Sequence, residues 1–202
     1  MIIVPNSSCQ AKPNATIAGA CIIVAGKRQG ITKGLFTSVV VHHDQVYAAE
    51  CRDNQTRVLQ LAETSPPRWC QLRSIDHDFA SKSQTLTLSI SNNQLKCCSW
   101  AESTIKVYSL SGELLQTYGT PGRADAGQLR TPAISDDDDD GSVLIADCGN
   151  HRLQVMSEQG EFSVLQLQPR VSRPCSAVLF NNQLYVTSSI LFDTGSLYKY
   201  SC

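Results

Sequence analysis

Apolar and polar residues alternate along most of this chain in short runs, each broken by Asn, Asp, Gly or Ser. A period of two is the mark of strands that bury one face, and the breaks are turn residues. The stretch Val143 to Met156 shows this most clearly. An apolar strand, Val143 to Ala146, meets the polar turn Asp147-Cys148-Gly149-Asn150, and a second strand alternates from Arg152 to Met156. Thr131 to Ser135 and an Asp-rich turn ending at Gly141 precede it. Glu158-Gln159-Gly160-Glu161 and the apolar Phe162 to Leu165 follow. Four short strands joined by turns predict an up-and-down sheet of about 40 residues, the size of one propeller blade.

Weaker copies of the pattern recur. Val39–Val41, Leu86–Ile90, Ala133–Ser135 and Ala177–Phe180 read as inner strands. Val46, Leu95, Val143 and Leu184 anchor the second strands, roughly 40 to 50 residues apart, a period of propeller repeats. Outer strands are expected at Trp69–Leu72, Leu114–Tyr118 and Phe162–Leu167, the last two entered through Ser111-Gly112 and Gln159-Gly160. Ala20–Ala25 reads as an outer-type strand with no inner strands before it. The expected organisation is an irregular extension over 1–16 and one domain over 17–202. Its repeats fall near 31–80, 81–128, 129–173 and 174–202, plus the strand 20–25.

The block around Asp147 closely resembles an NHL repeat: Ala146, Asp147, Asn150, Arg152, Leu153, Gln154 and Val155 fill the repeat's core in register. The resemblance implies an all-β propeller of about four NHL-like four-stranded blades. These make either a small closed ring or part of a six-bladed type.

Composition narrows the class. The 202 residues are 42% hydrophobic, with a net charge of −1, which disfavours a uniformly basic nucleic-acid binder. No apolar run approaches the roughly 18 residues of a membrane span. The nine cysteines are odd in number, irregularly spaced and without a Cys-x-x-Cys, so no zinc module is expected. A cytoplasmic chain with reduced thiols is expected, a secreted one being the alternative.

Candidate sites are few. Asp136–Asp140 with Gly141 opens like a calcium loop, but its ninth position is the apolar Leu144, so a solvated turn is expected. Cys148 and His151 lack the further ligands zinc requires. No cofactor or metal is expected. Charge is informative once loops are assigned to the two ends of the blades. Blade-to-blade connections and second-to-third-strand loops share one end, with an expected net charge of about +4, against about −9 at the other. The residues expected to bind on the basic end are Lys27, Arg28, Arg123, Arg130, Arg152, Arg170, Arg173 and Trp100.

The expected function is non-enzymatic recognition of a macromolecule, either a protein or single-stranded RNA, with no membrane or small-molecule substrate. This is similar to the NHL domains that end tripartite-motif ubiquitin ligases, whose ligase chemistry needs a RING absent here. The opposing class is a propeller enzyme with a metal in its channel. The inner strands, such as Ser38-Val39-Val40-Val41 and Ala177-Val178-Leu179, offer almost no ligands for one.

Overall fold

A computed structural model describes residues 2–5, 18–24, 27–43, 45–52, 55–64, 68–75, 86–137, 141–188 and 195–201. The fold is all-β and of the propeller type, and the chain divides into two compact units, Met1–Leu88 and Ser89–Cys202.

In the first unit β1 (Ile2–Pro5), β2 (Ala18–Val24), β3 (Lys27–His42), β4 (Gln45–Arg52), β5 (Gln55–Thr64) and β6 (Arg68–Ile75) form one antiparallel sheet in chain order. Val46, Tyr47, Ala48, Ala49 and Val58 are fully buried in it. Tyr47 Oη donates to Gln45 Oε1 at 3.1 Å and receives Gln60 Nε2 at 2.9 Å, so the phenol is satisfied within its own sheet.

Three expectations change here. Ile2–Pro5 is a strand rather than part of an irregular extension, because it completes a ladder with β2. The strand predicted at Ala20–Ala25 with no inner strands before it appears as β2, Ala18–Val24, between β1 and β3. Lys27 and Arg28 pair with Val24 and Ile23 inside β3, whereas their charges and nearby glycines had suggested a loop. The ladder to β2 outweighs the poor strand propensity of that segment.

β7 (Leu86–Ser91) straddles the division and forms the first edge of a sheet with β8 (Gln94–Ser99), β9 (Thr104–Ser109) and β10 (Leu114–Tyr118). A short parallel pair, β11 (Thr120–Pro121) and β12 (Gln128–Leu129), lies in the following connection. β13 (Pro132–Asp137), β14 (Val143–Asp147), β15 (Arg152–Met156) and β16 (Phe162–Val164) make the next four-stranded sheet. β17 (Pro174–Phe180), β18 (Gln183–Ser188) and β19 (Ser196–Ser201) make a three-stranded one.

Local sequence explains the hairpins. Asn92-Asn93 and Asn181-Asn182 each take φ of 49° and 56°, the left-handed pair that Asn tolerates and a two-residue turn demands. Ser109-Leu110-Ser111-Gly112-Glu113 and Ser157-Glu158-Gln159-Gly160-Glu161 close in the same way. The first Ser accepts from the Gly and Glu amides through its carbonyl and hydroxyl, and Gly112 and Gly160 sit at φ 94° and 85°.

Two apolar clusters hold the second unit. Cys98, Ile105, Leu129, Ile134, Val143, Ile145 and Met156 fill the space between the β7–β10 and β13–β16 sheets. Ala146, Leu153, Val171, Ala177, Leu184 and Val186 do the same for the β13–β16 and β17–β19 sheets.

Candidate functional site

The Asp147 carboxylate is fully buried at the end of β14 and accepts four hydrogen bonds. Oδ1 receives the Arg130 amide at 2.7 Å. Oδ2 receives Asn150 Nδ2 at 2.8 Å, Arg152 Nε at 2.9 Å and Gln154 Nε2 at 2.9 Å. A one-turn 3-10 helix, Cys148–Asn150, and His151 in the left-handed region (φ 55°) bring these side chains round the turn. The donors then reach onward into the connection before β13. Arg152 Nη2 donates to Asp125 O at 2.8 Å and Gln128 O at 2.7 Å, and Asn150 Nδ2 to Gly122 O at 2.9 Å. Gln154 Oε1 accepts the Gly127 amide at 2.9 Å. The residues that carry the NHL resemblance therefore staple one blade to the chain entering it. Arg152, expected to bind a ligand, has its guanidinium committed to this network.

The next connection opens a cleft. β16 ends at Val164, and after the Leu165 amide bonds Leu153 O at 3.0 Å the chain leaves the ladder. A cavity of about 360 Å³ lies where it diverges, lined by the half-buried Leu165 and Leu167 over the buried Leu153 and Val171, and by polar side chains that include His151, Arg170 and Ser172. Its far wall is fixed at three points. Val171 is buried in the second cluster, and Tyr200 Oη donates to Pro169 O at 2.8 Å. The Arg173 amide donates to His151 Nδ1 at 3.2 Å, with Ser172 Oγ 3.1 Å from the same nitrogen. Burial, then the neighbouring Tyr198, raises the Tyr200 phenol above its ordinary pKa, which favours the protonated donor. Thr131 and Arg173, each directly before a proline, take φ of 47° and 51°, which turns the chain into β13 and β17.

The remaining expected residues are distributed as follows. Arg123, Arg130 and Arg170 are exposed and Arg173 half-buried; none of the four guanidinium groups makes an ion pair among the described residues. Arg130 serves the staple only through its backbone, while its side-chain stem covers Gly149. Trp100 is 49% exposed in the β8–β9 turn, at the end where Cys98 and Ile105 pack on Leu129. Trp100 and these arginines thus share one end of the second unit. Lys27 and Arg28 lie in the first unit. The opposite end gathers acid: Asn92 Nδ2 donates to Glu158 Oε1 at 2.5 Å, with Glu113 and Glu161 in the neighbouring hairpins. Asp138–Asp140 fall outside the described residues. The cleft and its His151–Ser172 wall escaped sequence reasoning. The signal available was the pair of Arg-containing steps into Pro132 and Pro174.

Cys97 and Cys148 carry free thiols. Cys97 is fully buried, and burial followed by Cys98 pushes its pKa far up. Among the described residues no helix is long and apolar enough to cross a membrane, and no three metal-ligating side chains converge.

Residues 137–156 match the model of the NHL repeat. No curated protein matches the chain. Solved propeller structures do. Virginiamycin B lyase from Staphylococcus aureus is 13% identical with a TM-score of 0.52, over 83% of this chain and 55% of its own. A protein of unknown function from Bacteroides caccae is 14% identical with a TM-score of 0.63, over 84% and 63%. An auxiliary nutrient binding protein from Bacteroides thetaiotaomicron is 13% identical with a TM-score of 0.60, over 83% and 50%. The chain spans about half to two thirds of the length of these structures, and the likeness is one of fold.

Proposed function

We propose that this chain is a non-enzymatic recognition module that binds an anionic macromolecule at the end carrying Arg123, Arg130, Arg170 and Arg173. The reading extends to a cytoplasmic setting and to a role like that of the NHL domains of tripartite-motif proteins, with a protein or single-stranded RNA as partner. One observation carries it: four guanidinium groups without ion-pair partners gather at one end of the second unit, while acidic hairpins occupy the other. Such sign segregation focuses a field and steers an anionic partner to one end. The staple supports this division of labour, because Asp147 and Arg152 neutralise each other and leave the outer arginines to set the field.

The test is the double charge reversal Arg123→Glu with Arg170→Glu, both at exposed positions. Binding of heparin or polyuridylate, read by fluorescence anisotropy, should be lost, and wild-type binding should weaken steeply with salt. Thermal unfolding should stay within about 1 °C, in line with the small effects of exposed substitutions. Undiminished binding by the double variant overturns the reading.

A further inference from the structure

The cleft beside β16 differs chemically from the surface around it. Its apolar surface comes from Leu165 and Leu167, packed over the buried Leu153 and Val171; polar side chains that include His151, Arg170 and Ser172 line the rest, and neither a carboxylate nor a Phe, Tyr or Trp ring is among them. A nucleobase gains most of its binding from stacking on aromatic or guanidinium planes. The Arg152 guanidinium is already fastened to Asp147, Asp125 O and Gln128 O, and the His151 ring to the Arg173 amide, which leaves Arg170 as the one unfastened plane in the lining. Arg170 is exposed and makes no ion pair among the described residues, so its planar fork is available to a carboxylate. A volume of about 360 Å³ is at the small end of ligand pockets and holds about two side chains.

From this we propose that the cleft is a peptide-recognition site. It takes an aliphatic side chain against the half-buried Leu165 and Leu167, with an adjacent Asp or Glu of the same peptide held by Arg170. The inference rests on the anion-binding end proposed above and names its partner as an acidic, aliphatic protein segment.

The wall is preformed. Tyr200 Oη holds Pro169 O, Val171 is sunk in the core, and His151 Nδ1 accepts the Arg173 amide. A peptide entering it orders little of the protein, and preorganisation of that kind favours affinity. Ser172 Oγ, 3.1 Å from His151 Nδ1, stands at the edge beside Arg170. Because Nδ1 is an acceptor, the Ser172 hydroxyl is the donor of that contact, and its oxygen remains to accept a peptide N–H.

An array of octapeptides tests this, each carrying one Asp or Glu and one Leu, Val or Ile at every spacing, against Asn/Gln counterparts and an eight-nucleotide oligouridylate. The full-length chain should select acidic-aliphatic peptides over their amide counterparts. Arg170→Glu should cut binding of the best of them at least tenfold, Arg170→Lys should restore it in part, and Arg123→Glu should change it no more than threefold. Three results overturn the inference: equal binding of the amide counterparts, equal losses from Arg123→Glu and Arg170→Glu, or binding of oligouridylate with no peptide selected. The last two leave the anion-binding end standing, whereas silence from every probe removes both.

Discussion

Asp147 and Arg152 are register partners at the end of the β14–β15 ladder, and Arg152 Nε lies 2.9 Å from Asp147 Oδ2. The carboxylate is fully buried and the guanidinium side chain 14% exposed. Taking such a charge out of water is costly, and what repays it is the full set of four donors on the carboxylate rather than the ion pair alone.

Removing either partner should therefore be far more damaging than removing any arginine at the rim. Arg152→Ala should destabilise the protein by about 3–5 kcal/mol in urea unfolding, since it strands a buried carboxylate. Arg152→Lys should recover little of this, because one ammonium cannot reach Asp147 Oδ2, Asp125 O and Gln128 O together. An unchanged urea midpoint for Arg152→Ala would show that the staple contributes nothing.

Gly160 sits at φ 85°, and a β-carbon there would enter the Tyr118 ring. Gly160→Ala should cost about 1–2 kcal/mol for the left-handed backbone alone, with the steric overlap added. The double variant with Tyr118→Ala should be less than additive, because the ring is the obstacle. Strict additivity in thermal melts would remove Tyr118 from the explanation.

The Cys97 thiol is held protonated in the folded state by burial and then by Cys98, so its folded pKa is above the unfolded value of 9.0. The sign follows from proton binding: below pH 9 both states keep the proton and stability is unaffected by this group. Above that pH the unfolded thiol ionises first, and stability falls by at most about 1.4 kcal/mol per pH unit. Cys97→Ala should melt with a shallower decline between pH 9 and 10.5 than wild type. Parallel declines would assign the alkaline loss to other groups.

Tyr200→Phe removes the donor to Pro169 O at the far wall of the cleft. Peptide binding should weaken about three- to tenfold, consistent with the net worth of roughly 1 kcal/mol for one hydrogen bond. Isothermal titration should show the loss chiefly as a less favourable entropy, from ordering the wall on binding. No change in affinity would mean that the wall holds its place without the phenol.

Much of the fold was legible because the signals are local. An apolar run marked β14 and period-two alternation marked β15, with the polar turn between them where it was expected. Leu114–Tyr118 appears as β10 with its predicted bounds. The first unit was less legible. Lys27–Gly34 looks like a loop by charge and glycine content, and only the pairing partner in β2 makes it a strand. The site divides the same way. Outward arginines can be read from loop position, but the role of Arg152 depends on Gly122–Arg130 lying beside it, a relationship between segments far apart in sequence. The cleft depends on where β16 stops, at Val164 rather than Leu167, and no local pattern marks that end.

The staple also bears on how this architecture can vary. Gly122 to Arg130 runs over the surface and has little regular structure, as tolerant loops do. Yet the carbonyls of Gly122, Asp125, Gln128 and Arg130 each receive a donor from the turn region that follows β14. One inserted residue shifts several of these acceptors at once, whereas the Asn181-Asn182 turn holds only its own hairpin. Length changes should accumulate at the hairpin end of the blades and be purged from the stapled connection. The end proposed to bind a partner would then diversify by exchanging side chains on a backbone of constant length.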